Sequence, residues 1–169
     1  MTKEIKTAIL NHSEINQKIS RMAWQILENN HDAETILVIG VEKKGTIVSQ
    51  LIVDTLKGIC DIPIHIGKVW VDKENPTLEG IKLDCEESAE NCNVVLVDDV
   101  LNSGKTLMYA TLPILAQNPA RLQTAILANR DHTSFPIKAD FVGISLATTL
   151  QEHIHFLRKE DGQMEVYLT

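Results

Sequence analysis

The sequence is poor in cysteine, and the few present are set against cross-linking: Cys60, Cys85 and Cys92 are odd in number and form no Cys-x-x-Cys pair. That pattern disfavours both a disulfide scaffold and a zinc knuckle, and it fits reduced thiols in a cytoplasm. Long apolar runs are missing as well. The stretch from Met1 to Ile15 holds nothing that could serve as a secretory leader. No run approaches the ~20 apolar residues that a membrane helix needs. Positive charge is in deficit, with 16 Lys and Arg against 23 Asp and Glu and a net charge of −7. A broad electrostatic face for nucleic acid is disfavoured by that balance, which leaves room for local cationic patches. Internal repeats, low-complexity tracts and Pro/Gly linkers are absent too, so one domain over residues 1–169 is expected.

What the sequence does hold is an ordinary apolar share of 44%, enough for a chain of this length to bury about 70% of its unfolded surface. Ser13 can cap a helix whose stripe is Ile15, Ile19, Met22, Ala23, Ile26 and Leu27, ended by Asn29-Asn30. The compact run Ile36-Leu37-Val38-Ile39, closed by Gly40, reads as a buried parallel strand. Helical spacing returns from Thr46 to Leu56, and residues 62–71 alternate loosely as a second strand. Residues 72–92 are polar and acidic and carry Pro76 and Gly80. They predict a long exposed loop, a flexible lid over about 70–92. Val94 to Val97 is the clearest strand and ends in Asp98-Asp99. A helix starting near Ser103 follows, with Pro113 expected to kink or shorten it. Further strands are expected at Gln123–Ala128 and Asp140–Ile144, with another pair near the C-terminus. This alternation predicts an α/β fold, doubly wound, with a mainly parallel sheet and helices on both faces. In such sheets ligands bind beyond the carboxyl ends of the strands. That rule selects Gly40–Gly45, Asp98–Thr106 and Ala128–His132.

The segment from Val94 to Thr106 carries the chemistry. A hydrophobic strand delivers two carboxylates, a short loop with Ser103 and Gly104 follows, and then a helix begins. The loop and helix N-terminus offer backbone N–H groups and a positive dipole end to an anion. Gly104 lets the backbone approach a phosphate closely, and the hydroxyls of Ser103 and Thr106 add donors. Asp98 and Asp99 would repel that phosphate and instead suit a ribose diol or a Mg²⁺ carried by the substrate. Diol, phosphate and metal together describe a sugar phosphate bearing a second charged group. A nucleotide-hydrolase phosphate loop is the sharper rival, since Gly104-Lys105-Thr106 ends like one. It needs a glycine where Asp99 stands, and Gly40-x-x-x-x-Gly45 has Thr46 where the lysine belongs.

This segment resembles the binding motif for phosphoribosyl pyrophosphate (PRPP) in type I phosphoribosyltransferases. The helix from Arg21 to Asn30, the strand Ile36–Gly40, the turn Glu42-Lys43-Lys44-Gly45 and the stretch from Ala128 to Gly143 extend the likeness. Together they resemble the pyrimidine operon regulator/uracil phosphoribosyltransferase family over residues 5–160. The resemblance implies that Asp98 and Asp99 hold the ribose hydroxyls. Leu101, Asn102, Ser103, Gly104, Lys105 and Thr106 would form the 5′-phosphate loop. Lys43, Lys44 and Gly45 would face the leaving diphosphate, and Arg130 and His132 would approach diphosphate and base, with Arg130 among the catalytic residues. The family's Thr-Ser-Lys near the base reads Thr148-Thr149-Leu150 here.

The same resemblance implies Mg²⁺, held mostly through the substrate beside Asp98 and Asp99, a nucleobase acceptor with uracil first, and a homodimer or larger assembly. Relatives in that family also bind pyrimidine-operon messenger RNA. With an acidic chain, and Lys138, Thr133 and Ser134 where arginines often stand, strong RNA binding is not expected here. The alternative is a regulator of pyrimidine gene expression that binds PRPP or a nucleotide with little or no catalysis. No membrane role is expected. His153 and His155 could share a strand face, and without a third ligand they read as surface histidines.

Overall fold

The computed structural model describes residues 6–72, 74–149 and 151–169. In chain order it holds β1 (Thr7–Leu10), α1 (His12–Asn29), β2 (Ile36–Val41), α2 (Lys44–Ile59), β3 (Ile64–Trp70), β4 (Lys82–Cys85), β5 (Asn93–Leu101), α3 (Lys105–Leu115), β6 (Arg121–Arg130), β7 (Phe141–Leu146), β8 (Ile154–Arg158) and β9 (Met164–Leu168). The central sheet runs β4-β3-β2-β5-β6-β7. Its strands are parallel except β4, which pairs antiparallel with β3 at the edge. A smaller antiparallel sheet, β1-β9-β8, joins the two ends of the described chain.

The continuous apolar runs of β2 and β5 follow from burial on both faces, where no side of the strand can be polar. Ile36, Val38, Val95 and Val97 face one core with α1 and α2, which supply Ile19, Met22, Ile26, Val48 and Ile52. Leu37, Ile39, Val94 and Leu96 face the other core with Leu107, Ala110 and Ile114 of α3. The expected doubly wound arrangement is therefore present. The smaller sheet packs onto the α1 side through Leu10, Ile154, Phe156, Met164 and Val166.

Several local expectations are corrected. Asn11, not Ser13, caps α1: its Oδ1 accepts from the Glu14 N–H at 2.9 Å, and the Asn11 N–H donates back to Glu14 Oε2 at 2.8 Å. Such a box needs a carboxylate three residues on, and from Ser13 that position is Asn16. Pro113 stands inside α3, as expected of a residue that shortens a helix, and α3 ends two residues later at Leu115. The segment 72–92 is not a plain loop. It contains a 3-10 turn at Leu78–Gly80 and then β4. Lys82-Leu83-Asp84-Cys85 alternates with the two-residue period of a half-buried strand: Leu83 and Cys85 pack toward the α3 core, while Lys82 and Asp84 face out. The far end of the segment is tied to the end of α3, where the Ala89 N–H donates to Gln117 Oε1 at 2.7 Å.

Candidate active site at the carboxyl ends of the strands

The expectation that the strand ends in Asp98-Asp99 needs correcting. β5 continues to Leu101, with Asp98, Val100 and Leu101 laddered against Ile126, Ala128 and Asn129 of β6. Asp98 is only 4% exposed and Asp99 5%. The strand stays long because its β6 neighbour is longer still, at ten residues against nine, so pairing outlasts the apolar run. Asp98 Oδ1 accepts from the Asp99 N–H at 2.9 Å. Beside Asp98, and without Asp99 in its wall, lies a cavity of about 90 Å³, lined by Asp98, Val100, Leu101, Asn102, Ser103, Gly104, Thr106 and Leu107.

Gly104 occupies the N-cap position of α3 with φ +84°, in the left-handed region. A β-carbon there would also lie 2.8 Å from Ile137 Cγ2. Lacking a side chain, Gly104 does not cap the helix, so the positive end of α3 is available to an anion. The loop is held from above: the N–H groups of Ser134 and Phe135 both donate to the Ser103 carbonyl, at 2.9 and 3.0 Å. Ser103 Oγ accepts from the Lys105 N–H at 3.2 Å.

The loop after β2 meets this corner directly. A β-carbon on Gly45 would stand 2.8 Å from the Val97 carbonyl oxygen and 2.9 Å from Asp98 Oδ1. One on Gly40 would stand 2.7 Å from Thr46 Cα and press on Ser49 Oγ. Two glycines thus let the start of α2 lie flat on the ends of β2 and β5. The Glu42–Lys43 peptide is cis. The Glu42 N–H donates to the Val69 carbonyl at 2.9 Å. Lys43 and Lys44 are exposed at the start of α2, which carries no side-chain cap.

At the third strand end, Arg130 closes β6 beside Leu146 of β7. Its Nη2 donates to the Thr149 carbonyl at 2.6 Å. The Thr149 N–H in turn donates to Glu152 Oε2 at 2.7 Å. That bond from the Thr149 backbone is the main reason the Glu152 carboxyl is held below its ordinary range. The Thr149 side chain and the charge of Arg130 act in the same direction. His132 is exposed on the connection that follows β6. Leu150 lies outside the described residues. His153 precedes β8 and His155 lies within it, their rings 6.5 Å apart. Among the described residues no group of three or more His, Cys, Asp or Glu could hold a metal ion.

Residues 6–161 match the family model described as phosphoribosyl transferase domain. The chain belongs to the phosphoribosyltransferase family. Among its curated relatives, the bifunctional protein PyrR of Clostridium botulinum (strain Alaska E43 / Type E3) is 31% identical, covering 96% of each chain. The bifunctional protein PyrR of Fusobacterium nucleatum is 30% identical over 98% of this chain and 99% of the relative. Solved structures share the fold. A hypoxanthine phosphoribosyl transferase of Trypanosoma cruzi superposes with a TM-score of 0.73 at 19% identity, covering 88% of this chain and 82% of that one. A hypoxanthine-guanine phosphoribosyltransferase from Bacillus anthracis gives 0.71 at 21% identity, covering 86% and 85%.

As a phosphoribosyltransferase, the chain brings Asp98, the loop from Leu101 to Thr106 and the glycine turn at Gly45 to one corner. Lys105 does not line the cavity itself, and Arg130 donates to the loop after β7. Sequence reasoning missed Phe135 and Ile137, which back Gly104, and the Thr149–Glu152 pair. The apolar triplet Phe135-Pro136-Ile137 in an otherwise polar connection was the available signal for the first. For the second there was none beyond a Thr-x-x-Glu spacing.

Proposed function

We propose that this phosphoribosyltransferase moves the phosphoribosyl group of PRPP onto a nucleobase, uracil first, and releases pyrophosphate. The observation that carries the reading is the pair of buried carboxylates, Asp98 and Asp99, set immediately before a glycine-hinged anion loop. Carboxylates accept hydrogen bonds and donate none, so they match the ribose 2′- and 3′-hydroxyls. The 5′-phosphate then falls to Leu101, Asn102, Ser103, Gly104, Lys105 and Thr106. The diphosphate falls to Lys43, Lys44 and Gly45, where lysines act as point charges rather than forks. The transition state is a cation-like ribose, and the protein's contribution is mainly position and electrostatics.

The donor set fits Mg²⁺ that arrives with PRPP. Asp98 and Asp99 are two adjacent, buried carboxylates, and Mg²⁺ commonly takes one or two carboxylates with phosphate oxygens and water. When bound, the ion neutralises charge on the departing diphosphate. The whole chain works as one unit in this reading, with 70–92 as the lid, in a cytoplasmic homodimer or larger assembly. No helix among the described residues is long and apolar enough to cross a membrane.

The relatives' name, bifunctional protein, favours a second reading as a nucleotide-binding regulator. The net charge of −7 argues against RNA as its target. A radiolabelled PRPP turnover assay with Mg²⁺ against uracil, hypoxanthine, guanine, xanthine and adenine separates the two. Turnover of one base, lost in Asp99→Asn, supports the enzyme. PRPP binding without turnover of any base moves the assignment to the regulator.

A further inference from the structure

Substitution at the ribose C1 puts the entering base nitrogen and the departing diphosphate oxygen on opposite sides of that carbon. β5, which carries the aspartates, lies between β2 and β6 in the sheet. If the diphosphate lies over the turn that follows β2, the base must enter from the β6–β7 side. Neighbouring strands are about 4.8 Å apart, so the end of β6 is roughly one ring-width from the ribose. The structure at that point is the loop between Leu146 and Ile154, and its middle is tied to the central sheet by Arg130.

Thr149 is clamped at both ends of its backbone. Its carbonyl accepts from Arg130 Nη2 at 2.6 Å, and its N–H donates to Glu152 Oε2 at 2.7 Å. The Glu152 N–H adds a longer contact to the same carbonyl at 3.4 Å. The far end of the loop is pinned separately, where His153 and Thr169 exchange backbone hydrogen bonds at 3.0 and 3.1 Å. Arg130 Nε and Thr148 Oγ1 sit buried without a hydrogen-bond partner among the described residues. Unpaired buried donors are costly unless something else requires the side chain to stand there. We infer that Arg130 is a positioning residue: with Glu152 it fixes the peptide of Thr149 and so sets the wall against which the base is held, without touching the reacting atoms. The inference rests on the phosphoribosyltransferase reading of the β5 corner and adds the residues that set affinity for the base.

Calorimetric titration of the whole chain tests it. The ligands are ribose 5-phosphate and the 5′-monophosphates of uridine, inosine, guanosine and adenosine; the proteins are the native chain, Arg130→Met, Glu152→Ala and Arg130→Lys. The native protein is expected to bind at least one nucleotide more tightly than ribose 5-phosphate. Arg130→Met and Glu152→Ala should each remove about tenfold of that margin, while ribose 5-phosphate affinity stays within roughly twofold. Arg130→Lys, which keeps a cationic donor, should restore part of the margin. Equal losses for nucleotide and ribose 5-phosphate would mean general structural damage and overturn the inference, as would a full margin in both variants. A native protein that binds ribose 5-phosphate but no nucleotide more tightly also overturns it, leaving the phosphate loop assignment standing. Failure to bind ribose 5-phosphate at all would overturn the functional reading and the inference with it.

Discussion

The β5 corner and the β4 edge are built in opposite ways. At the corner, residues 98–106 are held by neighbours from distant parts of the chain: Gly45 lies on Asp98, Ile137 on Gly104, and two backbone N–H groups from 134–135 hold Ser103. At the edge, β4 pairs with β3 over only four registered positions. Its Lys68–Asp84 ion pair, at 3.9 Å, is exposed on both sides. Leu78 in the preceding turn is 70% exposed. The corner has no slack and the edge has much. A site that must stabilise a developing charge needs preorganised groups, whereas a segment proposed to admit and release substrate must detach cheaply.

Substitutions should divide along that line. The largest effect is expected at Asp99→Asn, which should lower kcat/KM for PRPP by on the order of a hundredfold or more; a loss below about fivefold in steady-state kinetics would remove the aspartate from the ribose site. Next comes Gly45→Ala, whose added carbon meets the Val97 carbonyl and Asp98. Overpacking of this kind costs about 1–3 kcal/mol, or roughly 2–12 °C in melting midpoint, and PRPP affinity should fall with it. An unchanged midpoint and affinity would mean that the two strand ends are not rigidly joined. Lys43→Ala and Lys44→Ala should each weaken PRPP binding by about tenfold at low salt, with a smaller difference as ionic strength rises.

At the edge, Asp84→Ala should change stability by no more than about 0.5 kcal/mol in a denaturant titration. A subtler probe is Cys85, whose thiol is pushed up to about 11 by burial and then by the negative charge of Asp84. At pH 8 its thiolate fraction would be about one in a thousand, so iodoacetamide should label it slowly. Rapid labelling would show that β4 spends much of its time away from β3.

The same contrast explains what could be read from the chain. β2, β5 and α1 were legible because burial on two faces or one stripe writes itself into local composition, and Asp98, Asp99 and Gly104 were legible because their chemistry is contiguous. β4 was obscured because four residues of alternation, Lys82 to Cys85, are outweighed by the acidic sequence around them. β1 has the same difficulty and depends on β9, far along the chain, for its partner. The burial of the two aspartates, the bond from Arg130 to Thr149 and the stacking of Ile137 over Gly104 all arise from long-range contacts that no local pattern encodes.

Gly40 and Gly45 frame a turn whose backbone is fixed by contact with β5, while the side chains between them, Glu42, Lys43 and Lys44, are partly or fully exposed. For an evolving enzyme this separates two quantities that are usually entangled. The charge that this turn would present to the proposed leaving diphosphate can be rewritten one residue at a time, and the hinge beneath it is left as it was.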